Sequence, residues 1–227
     1  EVVVQGIEAK SYLSTLFEGI LFRDVVKRYN VRYSKKLHDL GLYLLTNHSK
    51  ECTYTSLKKA LAFRSTHTVE NYADYLEEAF LLFTLQRYSS RVKEQMKSPR
   101  KIYAYDTGLI NAVKFKVSPD TGRLMENLVA VELLRRGKEI YYFRTPDGKE
   151  VDFAVKEGLG IGQLMQVCYE VDDPQTRKRE ISGLLKAAKE TGCKKLMILT
   201  WDYESREDSD PPIEFWPVWK WLLKQGE

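Results

Sequence analysis

After residue 120 the chain runs through the periods of a helix, three short strands, a second helix and one strongly apolar strand, and that order restricts its fold more than any other property. The first helix spans about Arg123 to Arg136 and stops at Gly137. Glu139 to Arg144 then reads as a strand, Pro146-Asp147-Gly148 as a turn, Glu150 to Val155 as a second strand and Ile161 to Val171 as a third. A helix from about Thr176 to Thr191 halts at Gly192, and Leu196 to Trp201 is apolar enough for a buried strand. The order is αβββαβ. A last element, Ile213 to Leu223, carries Phe215, Trp216, Trp219, Trp221, Leu222 and Leu223 and reads as a strand and helix that dock the C-terminus.

The first half has a different rhythm. Tyr12, Leu13, Leu16, Phe17, Ile20, Leu21 and Val25 recur at three- and four-residue steps on a helix from about Ser11 to Arg28. A helix from Ser34 follows, then a short one over Ser56 to Leu61 and a longer one from Thr66 to Phe80, capped by Ser65 or Thr66. Alternating residues Leu82 to Tyr88 and Lys101 to Tyr105 flank a turn with Pro99, and Asp106 caps a short helix through Val113. Helix-turn-helix followed by a β-hairpin is the winged-helix plan. The expected class is therefore α/β (α+β), with residues 1–28 a helical linker, 29–116 a winged helix and 117–227 the αβββαβ domain, the boundary falling in Val117 to Arg123.

Composition excludes some classes. The longest apolar runs fall far short of the roughly 18 residues of a membrane span, so no membrane association is expected. Three cysteines, Cys52, Cys168 and Cys193, form no metal-like or disulfide pattern and suit a reducing cytoplasm. The first residues lack an initiator Met, so a piece of a longer polypeptide is expected. Net charge is +4, yet Arg87, Arg91, Lys93, Lys97, Arg100 and Lys101 crowd one segment against the single acid Glu94, leaving the remainder near neutral.

Asp152 interrupts the apolar neighbours Val151 and Phe153 on an interior strand, where an ionised group needs partners. Gln166 and Cys168, two apart on the next strand, share a face. With Glu126 on the preceding helix, this placement resembles the PD-(D/E)xK, or restriction-endonuclease-like, core. The resemblance implies that a helical Glu, a strand Asp and a Glu-x-Lys pair gather Mg²⁺ and activate water. Here Gln166-Val-Cys168 stands where the family keeps Glu-x-Lys. An amide and a thiol supply neither the charge that Mg²⁺ favours nor an ammonium beside the attacking water. The four residues are thus expected to form a vestigial nuclease site that holds no metal, and Asp152 and Glu126 are the ligands if any metal binds. On the structural reading, Cys168 packs as a small apolar residue and Gln166 hydrogen-bonds.

Nearly the whole chain also resembles the C-terminal region of archaeal and bacterial AAA-type ATPases. That resemblance is carried by Phe22-Arg-Asp24-Val-Val, Tyr72-x2-Tyr75-Leu-Glu-Glu-Ala-Phe80, Tyr103-x-Tyr-Asp106-Thr-Gly-Leu109, Met125-Glu126-Asn127, Glu150-Val-Asp-Phe153, Arg179-Glu180 and the Trp-rich end. It implies an N-terminal ATPase domain, holding ATP, as partner on the same polypeptide. No Gly-x4-Gly-Lys-Ser/Thr occurs, so no ATP hydrolysis and no cofactor are expected in this chain by itself.

Double-stranded DNA is the expected nucleic-acid partner, met by Lys58, Lys59 and Arg64 around the helix-turn-helix and by Arg87, Arg91, Lys93, Lys97, Arg100 and Lys101 on the wing. The recognition helix itself carries Glu70, Asp74, Glu77 and Glu78, which repel phosphate, so the wing is expected to read backbone rather than sequence. The expectation is a cytoplasmic nucleic-acid- or partner-binding module without catalysis. The alternatives are a metal-dependent DNase with a rearranged site and an oligomerisation scaffold assembling a homo-oligomer.

Overall fold

The computed structural model describes residues 8–113 and 120–224, so part of the Val117 to Arg123 boundary lies outside the described residues. The fold is mixed α/β with two separate sheets. Contacts divide the chain discontinuously: one unit takes the described residues up to Thr84 and from Pro99 to Val113, and the other takes Leu85–Ser98 and everything from Asp120 on. The expectation from sequence is one continuous domain over residues 29–116. The segment between the two strands of its hairpin belongs instead with the C-terminal half.

In the first unit, α1 (Ala9–Gly19) starts where the Glu8 carboxylate accepts the Ser11 N–H at 2.9 Å, and runs on as a π-helical stretch, Ile20–Val26. Phe17, Leu21 and Val25 are each no more than 1% exposed. The expected linker is therefore part of this unit's core. Helix α2 (Ser34–Thr46) crosses it closely at Gly41, where a Cβ would lie 3.3 Å from the Phe17 ring. After β1 (Glu51–Cys52), α3 (Tyr54–Ala60) opens with a capping box in which Thr53 and Ser56 exchange backbone and side-chain hydrogen bonds. Ser65 caps α4 (Thr66–Glu78), which buries Val69, Tyr72, Ala73 and Leu76 at helical spacing. Strands β2 (Leu82–Leu85) and β3 (Arg100–Ala104) complete a sheet of order β1-β3-β2, and α6 (Thr107–Val113) follows Asp106, whose carboxylate accepts the Gly108 N–H at 2.6 Å.

Between β2 and β3 the chain makes no simple hairpin tip. It forms the short helix α5 (Val92–Lys97), preceded by a strand-like run that joins the second sheet. Tyr88 N–H donates to the Tyr142 carbonyl at 2.8 Å, Tyr142 N–H to Gln86 at 3.1 Å, and Arg87 Nη2 to the Arg144 carbonyl at 3.0 Å.

The second unit consists of that segment together with α7 (Thr121–Arg135), β4 (Ile140–Arg144), β5 (Glu150–Glu157), β6 (Gly160–Cys168), α8 (Pro174–Thr191), β7 (Leu196–Thr200), β8 (Ser205–Glu207), β9 (Ile213–Pro217) and α9 (Val218–Leu223). The expected αβββαβ order is present, extended by β8, β9 and α9. The sheet order is β4-β5-β6-β7-β9-β8, with β4, β5 and β6 antiparallel, and β6, β7 and β9 parallel. Helix α8 has Asp173 as its cap and Pro174 in its first turn, and ends at Gly192 in the left-handed region at φ 70°. Its Leu184, Ala187 and Ala188 pack on Val151, Leu164, Cys168, Ile198 and Phe215. Among the described residues, no helix is long and apolar enough to cross a membrane.

A candidate site where two strands part

The β5–β6 ladder pairs Phe153 with Met165 and goes no further toward the N-terminal end of β5, although both strands continue there. At the next position side chains replace backbone carbonyls as acceptors. Asp152 N–H donates to Gln166 Oε1 at 3.1 Å, and Val167 N–H donates to Asp152 Oδ2 at 3.0 Å. Gln166 Nε2 donates in turn to Glu180 Oε2 on α8 at 2.8 Å, and Arg179 grips the other Glu180 oxygen from two nitrogens at 2.6 and 3.0 Å. Asp152, Gln166 and Glu180 are all buried. Paired in this way, each satisfies the rule that polar groups taken out of water need partners.

Three of the four nuclease-like positions therefore meet at one place, where Cys168 is also buried and electrostatically coupled to Glu180 and Asp152. Glu126 is buried on α7, an element that packs against β6. The residue that completes the cluster is Glu180. The sequence marked Arg179-Glu180 only as a shared motif, because four charged or polar residues in a row on a helix look like a solvated face. Burial raises the Glu180 pKa, and the Asp152 charge adds to the rise against the lowering effect of Arg179. Burial first, then Glu180, pushes the Cys168 thiol up to about 12, so it is neutral and unreactive at ordinary pH.

The cluster has little to offer a cation. Both ends of the Gln166 amide are engaged, and its NH₂ rather than an oxygen faces Glu180. Among the described residues, no three His, Cys, Asp or Glu side chains are grouped to hold a metal ion. Of the cations on and beside β4 and β5, Arg144 pairs with Glu150 at 2.7 Å and Lys149 donates to the Ser182 hydroxyl at 2.6 Å.

The basic residues divide between the units. On the first, Lys59 and Arg64 are exposed and Lys58 is half-buried. Arg100 lies over the Tyr54 ring at 5.4 Å and offsets the charges of Asp74 and Glu77. Lys101 is 2% exposed and opposite Glu51 in register. On the second unit, Arg87 is half-buried against Arg144, Arg91 is exposed beside Glu94 at 2.8 Å, and Lys93 and Lys97 are exposed on α5. The charge expected on one wing is thus shared by a buried strand, a paired stack and a helix carried by the other unit.

The model of a domain of unknown function, DUF8612, matches residues 1–121, and that of a second, DUF4143, matches residues 121–221. An uncharacterized protein of Methanocaldococcus jannaschii is 32% identical over 94% of this chain and 50% of its own length. An uncharacterized protein of Haemophilus influenzae is 29% identical over 95% of the chain and 52% of its own. The chain spans about half the length of these curated relatives. No solved structure matches it.

Proposed function

Because this chain belongs to the DUF8612 family, joined to a DUF4143 domain, and spans half of relatives twice its length, we propose that it is the C-terminal binding module of a cytoplasmic AAA-type ATPase. In this reading the first unit is a winged helix and the second a restriction-endonuclease-like domain without catalysis. The order helix, strand, two helices, two strands, with sheet order β1-β3-β2, supports the winged helix. The αβββαβ order, with Asp152 where β5 and β6 part, supports the nuclease-like frame.

The observation that carries the loss of catalysis is the Gln166 amide, held at both ends between Asp152 and Glu180. A hydrolytic Mg²⁺ needs oxygen ligands free to coordinate it and a group to hold water, and this arrangement supplies neither. Plasmid incubated with the chain and Mg²⁺ or Mn²⁺ is expected to remain intact. Cleavage abolished by Asp152→Ala but not by a surface control would overturn this reading in favour of a DNase.

Duplex DNA is the proposed nucleic-acid partner, held through phosphates by Lys58, Lys59 and Arg64 on one unit and Arg91, Lys93 and Lys97 on the other. Removing a phosphate contact flattens the plot of log affinity against log salt by about 0.9. Lys93→Ala with Lys97→Ala is accordingly expected to lower that slope by roughly 1 to 2 in an anisotropy titration, with equal loss on unrelated sequences. Unchanged binding removes α5 from the interface. A salt-independent oligomer that binds no DNA favours the scaffold.

A further inference from the structure

The parallel strands of the second unit end in register: Cys168 lies beside Thr200, and Thr200 beside Pro217. Tyr169 and Trp201 therefore leave the sheet side by side, and their rings meet edge to face at 5.6 Å. Both are large side chains left partly open to solvent, Tyr169 40% and Trp201 52% exposed. Large aromatic side chains placed together in solvent are uncommon on a surface with no partner. The carboxyl ends of parallel strands are also where open α/β sheets receive ligands.

The charge around this pair selects the ligand. Glu170 and Asp202 directly follow the two aromatics and Asp172 comes three residues after Tyr169; all three are exposed, and no ion pair among the described residues involves them. The cations of the same end are engaged: Arg179 by Glu180, Arg177 by Tyr203 and Glu207, Lys220 by Glu204, and Arg123 by Asp120. Lys178 alone of the neighbouring bases on α8 is exposed without such a pair among the described residues. Uncompensated carboxylates beside open aromatic faces repel phosphate and attract ammonium and guanidinium groups, which bind the ring face and the carboxylate together.

We propose that Tyr169 and Trp201, rimmed by Glu170, Asp172 and Asp202, form a docking site for a Lys- or Arg-rich segment of a protein partner. This goes beyond the DNA-binding reading and rests on different residues. The strand end is acidic, so the partner it suits has the opposite charge.

The test uses the full chain with a fluorescein-labelled hexa-arginine peptide, with hexaglutamate and twelve-residue oligothymidylate as competing probes, followed by anisotropy. Hexa-arginine is expected to bind and the other two to bind far more weakly. Trp201→Ala and Tyr169→Ala are each expected to weaken the peptide about 3- to 10-fold, the range of a partly exposed cation–aromatic contact. Glu170→Gln with Asp202→Asn should weaken it as well, by a route that leaves the aromatics in place. Thermal unfolding of each variant identifies any loss that comes from misfolding. Peptide binding that survives all of these changes overturns the proposal. So does oligothymidylate binding that is lost in Trp201→Ala, which makes the pair a base-stacking site instead. Duplex DNA titrated against the same proteins separates the two readings, because Trp201→Ala should leave it unchanged while the Lys93 and Lys97 variant leaves hexa-arginine unchanged.

Discussion

Two buried carboxylates of the second unit respond to pH in opposite directions. Glu132 is held down to about 2, first by Arg135, whose two nitrogens reach it at 2.6 and 2.8 Å, and then by Arg136. A depressed carboxylate contributes stability that is present above its unfolded value of 4.5 and lost as pH falls toward 2. Glu132→Gln is therefore expected to cost roughly 2 to 3 kcal/mol at pH 7 and little near pH 2.5, measured by urea unfolding. Glu180 is raised by burial, so it binds its proton more tightly folded than unfolded. Its contribution is present at low pH and declines as pH rises above 4.5. Glu180→Gln should remove that decline and stay within about 1 kcal/mol of the parent at pH 7, since the amide loses the Arg179 pair but also the cost of burying a charge. The cysteines make a simpler test: burial raises all three, Cys52 to about 11 and Cys168 to about 12. Native protein in iodoacetamide at pH 8 should show almost no alkylation by mass spectrometry until denaturant is added. Gln166 and Asp152 could be read as neighbours from strand alternation. Glu180 could not, since nothing local shows that one acid of an Arg-Glu pair turns inward.

Elements with strong local signals were legible. The Ser65 cap, the stripe Val69, Tyr72, Ala73 and Leu76, the Pro174 start and the Gly192 stop each act within one turn, and the predicted helices fall within a few residues of the observed ones. The run from Leu82 to Tyr88 misled because alternation continues through it while the partner changes. Leu82–Leu85 pairs with one sheet, and Gln86 and Tyr88 exchange hydrogen bonds with Tyr142 of another. Period 2 reports that a residue points inward, not into which core it points. Tyr88 fastens this segment by packing against Tyr141 at 5.7 Å between ring centres and against Phe143 at 6.4 Å. Tyr88→Ala should cost about 2 kcal/mol in urea unfolding, less than a fully buried aromatic because Tyr88 is only partly covered. Urea unfolding unchanged in Tyr88→Ala would show that the segment is held by its backbone pairing with Tyr142 alone.

At the scale of the molecule, the two family matches meet at residue 121, but the contacts do not divide there, because Leu85–Ser98 belongs with the later half. A chain beginning at residue 121 would leave the Tyr142 N–H and carbonyl without Gln86 and Tyr88. Such a piece is expected to melt lower than the whole and to aggregate through the open edge of β4. A synthetic peptide of residues 85–98 added in excess should raise its melting temperature in proportion to the logarithm of peptide concentration. A scrambled peptide that does the same would exclude specific pairing. The discontinuity has a mechanical consequence too. The chain passes between the units three times, and two of the passages leave from β2 and β3, which are hydrogen-bonded neighbours in one sheet. A pull on the chain is therefore shared among three connecting segments, and two of these enter the first unit through paired strands.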